Sequence, residues 1–197
     1  MFNKRGLATF LEHALKFGVR RNGQSLLIIH DFAAFRLSCT DVPFHMCPDQ
    51  DGDFICYDPL QVSGTKVWRP APASGFQIWD RRCQEEAISA LQLANDLRKE
   101  ARGISYYQFM DSDGRVHLLQ KQLVSVLAST VRQLQKHYRF EALPGYCIRV
   151  FALEDLSLPV ALMMECVEAD QADPLGLNVL LRHALAEAVR LRTQSTA

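Results

Sequence analysis

Asp111-Ser112-Asp113-Gly114 sits between two apolar runs and commits the middle of the chain to a tight hairpin. The aspartate folds its carboxylate back onto its own backbone, and the glycine takes positive φ at no steric cost. The run before the turn, Ile104–Met110, is aromatic-rich and suits a strand, and Val116, Leu118 and Leu119 return as its partner. On both sides the period changes. Ala87, Ile88, Leu91, Ala94, Leu97 and Ala101 recur at helical spacing until Arg102-Gly103, and Leu123, Leu127, Val131, Leu134 and Tyr138 line one face of a long helix. The unit 83–140 is therefore expected to be helix, hairpin, helix.

Upstream, residues 6–17 read as an amphipathic helix with Leu7, Phe10, Leu11, Ala14 and Leu15 on its stripe and Gly18 as C-cap. Arg20-Arg21-Asn22-Gly23 reads as a polar turn. Strands are expected over 25–29, 32–39 and 54–57, with a Pro/Asp/Gly loop over 40–53 and a surface crossover over 61–75. Residues 76–79 suit a short strand or anchor, and Asp80 a helix N-cap. Downstream, Leu143-Pro144-Gly145 is a firm break. Residues 146–153 and 159–167 read as two more strands. Asp173-Pro174 opens a last helix striped by Leu177, Leu180, Leu181, Ala184, Leu185, Ala188 and Leu191.

Twenty-two basic residues balance 22 acidic ones, which removes the electrostatic reason to expect a nucleic-acid backbone or an anionic membrane as the main partner. No apolar run reaches membrane-spanning length and the first residues lack a signal-peptide core, so a cytoplasmic chain is expected. Its six cysteines then read as free thiols.

Chemistry is sparse in the pattern. Cys39, His45, Cys47 and Cys56 form the densest set of metal-type ligands, but no C-x-x-C knuckle preorganises two of them, so core or loop thiols are expected and no metal. Asp49, Asp51 and Asp53 lack the closing glutamate of a calcium loop. Pairing Cys147 with His137 meets no activating neighbour. There is no phosphate loop or nucleophile elbow. Asp111 and Asp113 read as turn formers, and His117 as a satisfied or exposed strand histidine. Arg81, Arg82, Arg98, Lys99 and Arg102 suit a solvated face, or a patch for an acidic partner. Tyr106 and Tyr107 point to opposite faces of a strand, so at least one of them is expected to face a partner or second subunit.

Residues 23–31 (GQSLLIIHD), 53–60 (DFICYDPL), 91–97 (LQLANDL) and 111–116 (DSDGRV) resemble segments of the class I chaperones of type III secretion. The resemblance implies a cytoplasmic homodimer without catalytic residues or cofactor, holding an extended client on apolar surface. It would place Phe10, Leu26, Ile28, Phe35 and Leu37 at the client-facing surface, and Leu91, Tyr106 and Phe109 near the dimer interface. Residues 76–148 also resemble a helical-hairpin domain of phage tail-fibre-associated proteins.

The expected fold is α+β, an antiparallel sheet with helices on one face, in the order α-βββ-α-ββ-α followed by a ββα extension. Residues 1–143 form the chaperone-like domain and 144–197 the extension. The expected function is a non-enzymatic chaperone or adaptor for another polypeptide, acting through apolar burial and strand addition. Its rivals are a viral structural or assembly protein and a small metal- or thiol-dependent enzyme centred on Cys39–Cys56.

Overall fold

The computed structural model describes residues 2–14, 16–43, 47–57, 67–71, 76–94, 99–101 and 104–166. Two compact units divide the chain, Met1–Glu165 and Cys166–Ala197. The helix expected from Asp173 lies outside the described residues. The division expected at 143/144 is not where this one falls, because the strands after Leu143 complete the sheet of the first unit.

Helix α1 (Lys4–His13) buries Leu7, Phe10 and Leu11 and ends where Ala14 turns extended, at φ −72° and ψ 121°. It is shorter than the expected 6–17. Gly18 does not cap it but lies inside β1 (Lys16–Asn22), whose Phe17 and Val19 point inward while Lys16 and Arg20 alternate outward. The polar turn expected at 20–23 shrinks to Gly23-Gln24, with Gly23 at φ 57°. Strands β2 (Ser25–His30), β3 (Ala33–Ser38) and β4 (Gly52–Tyr57) fall where the runs of apolar residues place them. Strand β5 (Val67–Pro70) adds a pairing on β4 inside the stretch read as crossover.

The largest correction concerns 76–101. Helix α2 (Gln77–Gln84) occupies the place of the expected strand or anchor, and Asp80 sits within its first turn instead of capping it. The helical period that follows does not form a helix at its described positions. Residues Ser89–Leu93 are strand β6, and Lys99–Ala101 are strand β7. The reason is tertiary: Leu91 pairs with Phe140 on one edge and Gln92 with Met110 on the other, so neighbours on both sides satisfy the backbone.

The hairpin of β8 (Ile104–Met110) and β9 (Val116–Gln120) is as expected. Asp111 Oδ1 accepts from the N–H groups of Asp113 (3.0 Å) and Arg115 (2.8 Å), and Gly114 takes φ 79°. The long helix expected after it is two short ones, α3 (Lys121–Leu127) and α4 (Val131–His137). Thr130 accepts from the Gln133 N–H at 3.3 Å, while the Gln133 side chain accepts from the Ser129 N–H at 3.2 Å. This S-T-x-x-Q sequence is a variant of the capping box, and it restarts the helix. Tyr138 leaves the helix and opens β10 (Tyr138–Leu143), which is followed by β11 (Cys147–Ala152) and β12 (Ala161–Met164).

All pairings are antiparallel, in the order β5-β4-β1-β2-β3-β12-β11-β10-β6-β8-β7, with β9 also on β8. The fold is α+β and largely sheet, as expected. Among the described residues the order is one helix, five strands, one helix, four strands, two helices and three strands, which differs from the expected α-βββ-α-ββ-α; the helix of the expected ββα extension lies outside them. Nor do the helices keep to one face. Leu26 and Ile28 face a core shared with α1, α3 and α4, while Leu27, between them, packs with Ala34, Leu162, Phe76 and Trp79 under α2. Three consecutive buried residues in one strand mean a sheet covered on both sides.

Helix α1 lies close against α3. A Cβ on Gly6 would collide with the Ser125 carbonyl and come within 2.7 Å of Asn3 Nδ2, the same amide that donates to that carbonyl. Gly6→Ala is expected to lose about 1–3 kcal/mol through overpacking, against a helix-propensity gain of roughly 1 kcal/mol. Urea melts measure the balance. A stabilised variant would refute the close α1–α3 approach.

Candidate functional site

A concavity lies on the α2 face. Strand alternation puts Arg36 of β3 on the same side as Ala34, and Arg149 and Phe151 of β11 on the same side as Cys147. Trp79 and Cys83 of α2 form one wall, and the loop from β11 to β12 forms the other. Together they enclose a cleft of about 470 Å³.

The loop holds its shape through Asp155, whose Oδ1 accepts from the Ser157 N–H (2.9 Å) and hydroxyl (2.6 Å). These bonds, the hydroxyl first, hold the Asp155 carboxyl below the usual range. The turn leaves Leu153, Leu156 and Leu158 exposed at 47%, 44% and 53%. Three exposed leucines in six residues are more than the scattered apolar surface of an ordinary fold.

Two arginines reach the cleft and differ in kind. Arg149, 8% exposed, uses four of its five N–H donors within the fold. Its Nε and Nη2 donate to Glu141 Oε2 at 3.1 and 2.7 Å, and its Nη1 donates to the carbonyls of Cys83 (2.9 Å) and Glu85 (2.8 Å) at the end of α2. It is a strut between the helix and the sheet. Arg36 is half-buried, with its guanidinium 5.6 Å from the centre of the Trp79 ring. Among the described residues no carboxylate lies within ion-pair distance of it.

A second polar cluster is closed. His117, 5% exposed, places Nδ1 3.1 Å from Glu165 Oε2 and Nε2 3.4 Å from Asp111 Oδ2. Only the imidazolium has an N–H for each partner. Desolvation pushes the Asp111 carboxyl up, but the Arg115 N–H, His117 and the Asp113 N–H together hold it below its ordinary value. The cluster ties the β8–β9 turn to the residue after β12. The smaller hollow, about 170 Å³, borders His30, whose ring packs on Phe10 at 5.0 Å and whose pKa burial lowers.

No protein-family model, curated protein or solved structure matches this chain. The likeness to secretion chaperones therefore stands on sequence pattern alone.

The residues expected at a client surface are in the interior. Phe10, Leu26, Ile28, Phe35 and Leu37 are no more than 5% exposed and form the core under α1. None of them is open to another chain in this conformation. Of the expected interface residues, Leu91 and Phe109 are buried, with Phe109 stacked 4.6 Å from Phe140, and Tyr106 is half-exposed.

The metal-type set is dispersed by burial. Cys56 is fully buried, His45 lies outside the described residues, and the thiols of Cys47 and Cys39 donate to the carbonyls of Pro48 (3.7 Å) and Gly23 (3.6 Å). Among the described residues no three His, Cys, Asp or Glu groups are arranged to hold a metal. Burial above all pushes the thiols of Cys47, Cys83 and Cys147 up to about 11, away from the thiolate form. The cleft residues Arg36, Trp79 and Leu158 were not legible as a site. The one available signal was Leu156 and Leu158 inside a polar turn.

The Asp111 shift has a pH signature. A carboxyl lowered by folding contributes stability above its unfolded pKa, near 4, and loses it as pH falls through the lower folded value. Asp111→Asn is therefore expected to unfold at lower urea than the parent at pH 7, with the gap closing below about pH 4. A gap that is constant with pH would refute the charge role.

Proposed function

We propose that this chain is a non-enzymatic chaperone or adaptor that holds an extended segment of another polypeptide in the α2 cleft. The observation that carries the reading is the pair Leu156 and Leu158, exposed at 44% and 53% and lining the cleft beside the Asp155–Ser157 turn. Burying a leucine against a partner contributes roughly 1.5–3 kcal/mol, before the segment's ordering is subtracted. Two leucines with the wall of Trp79 and Phe151 offer apolar contact for binding without chemistry. The raised thiols also weigh against a thiol enzyme.

Strand addition is the weaker half of the expectation. Of the edge strands among the described residues, β5 is four residues long and ends in Pro70, which cannot donate to a new strand, and β7 is three residues long. The cleft is the better-built surface. It keeps the kind of function that the chaperone resemblance implies and moves it off the first helix and sheet.

A photo-reactive residue at Leu158 is expected to capture a defined segment of one partner in cells, and one at exposed Lys136 is expected not to. The captured segment, made as a peptide, should bind the purified protein and lose at least tenfold in affinity to Leu156→Asp with Leu158→Asp at unchanged Tm. Equal binding by the parent and the double variant would overturn the reading.

A further inference from the structure

We infer that the cleft selects segments carrying an acidic side chain next to apolar ones, with Arg36 as the anchor for the carboxylate. The inference rests on the cleft being the docking surface. It comes from comparing the strand arginines on the α2 face. Arg20 pairs with Asp53 at 2.8 Å, and Arg139 and Arg149 both pair with Glu141 at 2.7 Å. Arg36 alone among these four has no carboxylate within ion-pair distance among the described residues, and it lines the cleft together with the engaged Arg149.

The neighbouring acids are already engaged. Asp80 borders the cleft but pairs with Arg20 at 3.3 Å. Asp155 is close enough for the charge of Arg36 to act on it, but its Oδ1 accepts from Ser157 and it makes no ion pair with Arg36. Arg36 therefore keeps guanidinium N–H donors to offer.

Its surroundings make that capacity specific. Trp79 is 2% exposed and its ring centre lies 5.6 Å from the guanidinium carbon. The planar guanidinium fork suits two parallel hydrogen bonds to a carboxylate. Leu156, Leu158 and Phe151 around it exclude water from such a pair and supply the apolar contacts for flanking residues. The cleft is bounded by two elements side by side, α2 and the loop, which suits a side chain reaching in from a passing strand.

The test uses three synthetic peptides titrated by NMR on the full chain, followed at the Trp79 indole and the Leu158 methyls. Acetyl-LLDLL-amide is expected to bind at least fivefold tighter than acetyl-LLNLL-amide. The ratio should fall to about one in Arg36→Gln, recover in part in Arg36→Lys, and shrink as salt rises. Equal binding of the Asp and Asn peptides to the parent would overturn the carboxylate anchor and leave the docking surface standing. Tighter binding of acetyl-LLNLL with a free C-terminus than of the Asp peptide would overturn the side-chain assignment. No shift at the cleft with any peptide would overturn the docking surface and the anchor together.

Discussion

The seam between β3 and β12 is the constraint on which the rest of the structure depends. It pairs Phe35 with Ala161 and Ala33 with Met163, and its rim is closed by Arg36 N–H to Val160 (2.8 Å) and Met164 N–H to Phe32 (2.8 Å). Without it β1–β5, up to Pro70, and β6–β12, from Ser89 onward, would be two sheets, each with one more open edge. With it they are one surface that α1, α3 and α4 cover on one side and α2 on the other. The same seam sets Arg36 beside the leucine loop. Closing the fold and building the cleft are one event.

Polar groups in this unit fall into two kinds, and the difference separates support from function. His117 and Arg149 are nearly buried and each is matched within the fold: His117 by two carboxylates, Arg149 by Glu141 and two carbonyls. Buried charge survives only with such partners. These groups lock elements together and have little left to offer a ligand. Arg36 is half-buried, beside an aromatic ring and unmatched. A charge with unused donors, beside apolar side chains that water surrounds, is what a recognition surface needs and what a folded core avoids.

The apolar pattern told which residues would be buried better than it told where. Phe10, Leu26, Ile28, Phe35 and Leu37 are buried, but against α1 and α3 and not against a client. A leucine run carries no label for its partner, because the hydrophobic effect is indifferent to whose atoms exclude the water. In the same way Ala87, Ile88 and Leu91 fit a helical period over a few residues, yet two flanking strands claimed Ser89–Leu93. Local propensity differs between helix and strand by less than a pair of strand neighbours supplies.

What the sequence determined by itself was local: the Asp111–Gly114 turn, the strands around it and at 25–38, the start of α1, and the α+β class. Each follows from forces acting within a few residues, namely side-chain capping, glycine φ and alternation. What the tertiary structure alone decided was the seam, the two-sided cover of the sheet, the split of the helix at Ser129-Thr130, and the meeting of Arg36, Trp79 and Leu158. These depend on contacts between residues far apart in the chain, and no spacing along it encodes which strand will be the neighbour.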